Sequence, residues 1–575
     1  MAKAAITAKT NKGFARAPVP ALKARNIRIG SQGQLKRSWP VAPGAFFRIY
    51  QDEPLTLECS FTKKMRAPRV TLRTDLLAAK GKWGDIPFSE TGPGACSLSA
   101  LPRKNGIFRF KLKYSPDNGA TWFLDRTPFT KVIVDPVAAR DIRQYTLVPT
   151  ASGRIGEWKA QLSRIRDMGF NVVHLLPVTR MDVSESPYAA ADLFSIDPSY
   201  LNPNDKRSGL DQFEDFVVDA EKKGIGLCLD LVLNHIGLSS VMAQRTPEWI
   251  VPDKNEANGL LRAGCWHMNS WIKWHDLVRI NYDHPEPAVK KDLWAYMSAY
   301  ARFWTTYASY SHGMVRLDNL HASHQEFIAA LLEGLHGSFP GLVVQAEYFS
   351  DSNTLIKTAS ESAIALFLAN PWEHPFAKDL RKYFAYLHDI SSQIRFLTPI
   401  ATHDTGSIAQ LYGKPEAIVP RYFATALMST GQTGLVQGNE HGLPRKIEFI
   451  GRYNKPAIEQ PGRFSPVIGK INTLHASYAL FHQTGNLEFV DNCHGAIIAA
   501  LRRDLRPGKD CFLLCANLDT ANAYSLAIET ASWKRAGKGP VLHEMMDGGR
   551  FEAFGHEFRI DLQPCGVKAF WFEYV

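Results

Sequence analysis

The sequence predicts an α/β protein: a (β/α)8 TIM barrel with an insertion after its third strand, flanked by N-terminal and C-terminal β-sandwich domains. Three observations predict it. From about residue 140, short apolar runs alternate eight times with amphipathic stretches, the rhythm of a parallel sheet covered by helices. On either side of that region the pattern is short strands with period-two apolar positions. No GxGxxG follows the first of the eight runs, which argues against an open nucleotide-binding sheet.

Residues 1–37 read as a basic flexible tail, with nine lysines and arginines and no acid. The tail is either a solvated segment or a contact for a polyanion. Because it carries nine of the eleven net positive charges, residues 38–575 hold only about +2, so the body is not a nucleic-acid binder by charge. Residues 38–137 read as a β-sandwich, from PLTLECSFT (54–62), RVTLRTD (69–75), FRFKLKYS (108–115) and TKVIVDP (130–136), with PDNGA (116–120) as a hairpin turn. Trp83, Trp122 and Phe123 are either its core aromatics or a sugar-stacking platform.

The barrel is expected over 138–482. Its strands are YTLVPT (145–150), NVVHLLPV (171–178), IGLCLDLVLNH (225–235), GMVRLDNL (313–320), LVVQAEYF (342–349), SAIALFLAN (362–370), RFLTPIATHD (395–404) and TGLVQGNE (433–440). Between the third strand and its helix lies an inserted region, 236–285, with Trp249, Trp266, Trp271 and Trp274; a connection this long is usually functional. Residues 483–575 return to short strands, a second sandwich.

Composition narrows the class. With 45% hydrophobic and 21% charged residues the chain is globular, and no uncharged apolar run reaches the roughly 18 residues that span a bilayer. The first 30 residues lack the apolar stretch of a secretory signal. Eight cysteines without metal spacing read as reduced thiols, so the expected location is cytoplasmic.

Catalytic groups of such barrels sit at the C-terminal ends of the strands. Here the third strand ends in Asp230, Asn234 and His235, the fourth in Arg316, Asp318 and His321, the fifth in Glu347, the seventh in His403 and Asp404. Arg316 and Asp318, two apart, share a face, so the guanidinium is expected to lower the carboxyl's pKa, as suits a nucleophile. Glu347 follows the apolar run LVVQA, and desolvation is expected to raise its pKa toward that of a general acid. Two carboxyls with pKa values driven apart are what glycosidic cleavage requires.

DLVLNH (230–235), GMVRLDNLH (313–321), VQAEYF (344–349) and TPIATHD (398–404), with SPYAAADLFSIDPSYLNP (186–203), resemble the signature segments of the α-amylase superfamily of glycoside hydrolases and transglycosidases. RLDNLHASH and SPYAAADLFSIDPSYL look closest to the glucanotransferase domain of glycogen debranching enzymes, which has a cysteine where this chain has Leu320. The resemblance covers about 140–480 and implies Asp318 as nucleophile, Glu347 as general acid/base and Asp404 as the third carboxylate. It further implies Arg316 as partner of the nucleophile, Asp230 as orienter of Arg316, and His235 and His403 as sugar hydrogen-bonders. Tyr188 is implied as a stacking platform and His321 as a leaving-side contact. No cofactor is expected; some relatives bind calcium near the position of Asn234, but no further ligand cluster stands beside it in sequence.

The expected substrate is an α-glucan or maltooligosaccharide, cleaved at α-1,4 bonds with retention. Transfer to another sugar and transfer to water share every catalytic residue, and the tryptophans of 236–285 supply either acceptor subsites or a small core. A non-catalytic glycan-binding or scaffold protein on the same barrel is the alternative of another class; such a protein would have lost carboxylates that this chain keeps. The sequence does not fix the oligomeric state.

Overall fold

The computed structural model describes residues 27–30, 35–61, 69–76, 82–267, 270–452, 461–491, 494–505, 510–529, 540–553 and 557–573. They form two compact units. One draws on residues up to Pro43, on Thr56–Ser99 and on Phe110–Phe129; the other on Gly44–Leu55, Ala100–Arg109 and Thr130 onward.

The first unit is β-rich. Leu55–Phe61 lies between Leu35–Arg37 and Ala95–Ala100, and Arg69–Thr74 lies between Gly84–Pro87 and the antiparallel Gly106–Ser115. Leu57, Cys59, Leu72, Leu98, Phe110 and Leu112 alternate inward, as a half-buried strand requires, and Trp39 closes on Phe110 at 6.0 Å. Phe123 turns inward to stack on Tyr114, whereas Lys113 lies over Trp122 and Trp83 leans on Phe129. The expected tail ends early. Ile27–Gly30 pairs in parallel with Trp122–Asp125, and Arg37, within Leu35–Arg37, forms an ion pair with buried Asp125. The other residues of 1–37, apart from 35 and 36, lie outside the described ones.

The second unit holds a closed parallel barrel of eight strands: β1 (Arg143–Leu147), β2 (Val172–Leu175), β3 (Gly226–Leu231), β4 (Met314–Leu317), β5 (Val343–Ala346), β6 (Leu366–Leu368), β7 (Phe396–Pro399) and β8 (Gln432–Val436). β8 closes on β1 through Thr433 opposite Arg143. Helices with apolar faces cover it. Ile155–Asp167 starts where Glu157 accepts from the Arg154 amide, and Gly209–Lys222 starts in a capping box between Ser208 and Asp211. Trp158, fully buried, packs edge-on against Tyr200 and Phe216, which joins the two helices to each other. β3 and β4 run so close that a Cβ on Gly313 would lie 2.0 Å from the carbonyl oxygen of Leu227, so only glycine fits there.

Phe46–Tyr50 and Thr130–Asp135 pair in parallel within the same unit, and Asp135, fully buried, accepts from Arg48 (3.0 and 2.7 Å) and from Arg395 (2.7 Å). The insertion after β3 is a three-stranded antiparallel sheet: His235–Gly237, Ser270–Arg279, Arg262–His267. The last part of the chain is a six-stranded sheet with a two-stranded one, Tyr524–Glu529 and Glu557–Leu562, around Leu513, Cys515, Ile528 and Phe570. Among the described residues no helix is long and apolar enough to cross a membrane.

Candidate active site

The site grows from the mouth of the barrel. Asp230 on β3 and Arg316 on β4 are direct cross-strand partners, so their side chains meet on the inner face. The ladder continues one residue past the strands: the Asp318 amide donates to Leu231 O (3.1 Å) and the Glu347 amide to Leu317 O (3.0 Å). These two bonds fix both carboxyl-bearing residues on backbone rather than on free loop. Asn319 follows in the left-handed region (φ 44°), a conformation asparagine tolerates, and its amide donates to Glu347 Oε2 at 3.1 Å.

One guanidinium gathers the acids. Arg316 Nη1 donates to Asp230 Oδ2 (2.5 Å) and to Asp318 Oδ1 (3.3 Å), while Nη2 donates to Glu347 Oε2 (2.8 Å). Asp318 and Glu347 are therefore held by the two terminal nitrogens of a single planar group. Asp404 stands at the rim with its side chain half exposed, 3.2 Å from His403 Nε2. His403 Nε2 meets Tyr188 Oη at 2.7 Å, and Tyr188 donates on to Asp230 Oδ2 at 3.0 Å, so one polar chain links the rim acid to the buried one. The rings of Tyr188 and His403 are within 6° of parallel, and Phe449 packs edge-on to both.

The electrostatics correct one expectation. Burial, then the charge of Glu347, pushes the Asp318 carboxyl well above its usual range, with Arg316 opposing; the expected lowering is not found. Arg316 lies closer to Asp230 and Glu347 than to Asp318, so most of its charge is spent on them. Nor does Glu347 sit in an apolar pocket, since its partly exposed carboxylate accepts from Arg316 and from the Asn319 amide. Burial works against charge on Asp230 too, yet Arg316 and His174 outweigh it and hold that carboxyl below the usual range. Burial lowers His235 to about 4 and His403 to about 3, so both imidazoles are neutral near pH 7.

The structure brings Asp230, Arg316, Asp318, Glu347, Tyr188, His403 and Asp404 together. His235, buried, stands edge-on to Trp274 of the insertion at 5.4 Å, and exposed His321 faces Tyr348 at 6.4 Å. Of the other insertion tryptophans, Trp249 packs on Tyr296, Trp271 is 44% exposed, and the side chain of Trp266 lies outside the described residues. Two site residues escaped the sequence reading. His174, alone among apolar neighbours on β2, reaches Asp230 Oδ2 at 3.3 Å, and its only signal was being polar in an apolar strand. Phe449 comes from the segment after β8, where no periodicity marks it.

Among the described residues, the one His/Cys/Asp/Glu group spaced to hold a metal ion is Asp141, His475 and His482, at the opposite end of the barrel from these acids. There Arg143 already forms an ion pair with Asp141.

A family model described as the glucanotransferase domain of glycogen debranching enzyme matches residues 135–255. An α-1,4-glucan:maltose-1-phosphate maltosyltransferase of Picrophilus torridus is 20% identical over 70% of this chain and 65% of its own length. Its counterpart in Salinibacter ruber is 25% identical over 64% and 59%. The chain thus spans less than two thirds of these relatives. In fold it is similar to the maltogenic α-amylase AmyB of Thermotoga neapolitana (TM-score 0.60, 16% identity, 76% of this chain and 99% of that one). It is likewise similar to the debranching enzyme of Nostoc punctiforme (TM-score 0.59, 14% identity, 76% and 99%). Family model, relatives and barrel agree with the segments read from the sequence: residues 135–255 are similar to a glucanotransferase domain, the longer chain is similar to α-1,4-glucan:maltose-1-phosphate maltosyltransferases, and its barrel has the fold of α-amylases.

Proposed function

We propose that the chain cleaves α-1,4-glucosidic bonds with retention and passes the glycosyl unit to another glucan, as a 4-α-glucanotransferase does. The observation that carries this reading is the shared guanidinium, which holds Asp318 and Glu347 on one side of the barrel mouth with Asp230 behind it. In the first step Glu347, as general acid, gives its proton to the glycosidic oxygen while an Asp318 oxygen bonds to the anomeric carbon and the C–O bond breaks. In the second, Glu347 takes the proton of the incoming hydroxyl as that oxygen displaces Asp318. Asp404 and the neutral imidazoles of His235 and His403 bind the hydroxyls of the same sugar, gripping harder as oxocarbenium character develops. Burial, and then the charge of Glu347, works against ionisation of Asp318 in the empty site, so positive charge developing on the sugar beside it favours the ionised nucleophile. The thiols of Cys59, Cys96, Cys228, Cys265, Cys511 and Cys565 are free, which suits a cytoplasmic setting.

The test is incubation with single maltooligosaccharides. A ladder of longer and shorter products supports transfer, whereas short sugars alone support the hydrolytic reading. The relatives named above use maltose 1-phosphate by name, so that donor, with phosphate release as readout, belongs in the same assay.

A further inference from the structure

His174 on β2 is 2% exposed and lies on the barrel interior beneath the acids. Its Nδ1 is 3.2 Å from Thr146 Oγ1 on β1, and its Nε2 is 3.3 Å from Asp230 Oδ2 on β3. Only one arrangement of protons satisfies both contacts. If Thr146 accepted from Nδ1–H, the bare Nε2 of a neutral ring would face a carboxylate oxygen, lone pair against lone pair. With the Thr146 hydroxyl donating to Nδ1, the proton sits on Nε2 and points at Asp230. Asp230 Oδ2 then accepts three donors: Arg316, Tyr188 and His174.

We propose that Thr146 and His174 form a positioning pair that sets how the Arg316 guanidinium is divided between Asp230 and the two reacting carboxyls, Asp318 and Glu347. The pair touches neither substrate nor reacting atom. Its effect runs through Asp230: a donor on Oδ2 satisfies part of that charge, leaving Arg316 free to hold Glu347 at 2.8 Å and Asp318 at 3.3 Å. Without the donor, Asp230 draws the guanidinium inward, and both reacting carboxyls lose positive field. The pKa of Asp318, already raised mainly by burial, then rises further. The charged and titratable groups that face His174 are Asp230, Arg316 and Glu347, with the His403 ring 6.3 Å away, and burial keeps the imidazole itself neutral.

The proposal rests on Asp318 and Glu347 being the reacting pair, so it is tested by two independent readouts. The first is the pH profile of kcat/KM on maltooligosaccharide. His174→Leu should move the acid limb up by about one pH unit and lower kcat/KM at neutral pH about tenfold or more. His174→Gln, whose amide N–H reaches toward the same oxygen, should stay within a few-fold of wild type with its limb unmoved. Thr146→Val should shift the limb in the same direction by less. The second needs no activity: in the intact protein with 15N-labelled histidine, His174 should show the Nε2–H tautomer at neutral pH and lose that preference in Thr146→Val. A folded His174→Leu enzyme with the wild-type acid limb, a Gln variant as impaired as Leu, or an Nδ1–H tautomer in wild type would each overturn the pair. If His174→Leu does not fold, Thr146→Val and the tautomer decide. A wild type inert on every α-glucan but showing the Nε2–H tautomer would instead sink the functional reading alone.

Discussion

Arg316 stands 2.5 Å from Asp230 and 3.3 Å from Asp318, so the guanidinium is bound more tightly to the acid behind the site than to the one expected to attack. A nucleophile left partly uncompensated is held back while the site is empty and released when a neighbour takes up a proton or a cationic sugar forms beside it.

Glu347→Gln keeps shape and hydrogen-bond reach but removes the transferable proton. We expect kcat to fall about 10²–10⁴-fold with glucan binding retained, measured by steady-state rates and by affinity electrophoresis. Unchanged rates would leave only a binding role for the barrel.

Arg316→Lys replaces a planar fork by a single ammonium that cannot bridge Asp230, Asp318 and Glu347 together. The expected loss in kcat/KM is about 10²-fold, with the far-UV circular dichroism spectrum unchanged. A variant as active as wild type would show that the fork is not what aligns the acids.

Acid should loosen the fold before it reaches the carboxylates. His235, His388 and His403 are pushed down to about 4, 3 and 3 in the folded chain, mainly by burial, whereas in the unfolded chain they titrate near 6.5. Between those values the unfolded state binds more protons, so stability is full above about pH 6.5 and drains as pH falls toward 4. Urea midpoints measured from pH 7.5 downward should decline over that window. His388→Gln, placed away from the site, should flatten the decline.

Gly313→Ala would set a methyl 2.0 Å from Leu227 O between β3 and β4, against backbone that cannot yield, and should cost about 1–3 kcal/mol or more. Gly334→Ala, in the helix Gln325–Ser338 with nothing within 4 Å of the new methyl, should instead stabilise by about 0.4–1 kcal/mol. Chemical denaturation of the two variants side by side checks the opposite signs.

What the sequence made legible follows from what repeats along a chain. Asp230, Arg316, Asp318 and Glu347 stand out because short apolar runs end abruptly in charge, and the barrel rule says which end matters. His174 does not, since a lone histidine in VVHL reads as core and its partners lie on two other strands. The pKa of Asp318 is hidden from the sequence for the same reason: Arg316 is its neighbour in sequence, but Asp230 and Glu347, which compete for that arginine, arrive only when β3, β4 and β5 are side by side. Ile27–Gly30 reads as tail because a four-residue strand beside a basic run has no period to show.

The clamp of Asp135 between Arg48 and Arg395 bears on how this chain can be dissected. A fragment begun at residue 138, where the sequence pattern alone would suggest a cut, strips Arg395 of its counter-ion and takes away the parallel ribbon of Phe46–Tyr50 with Thr130–Asp135. The barrel has no clean seam there, and a trimmed version meant for engineering has to carry that ribbon with it.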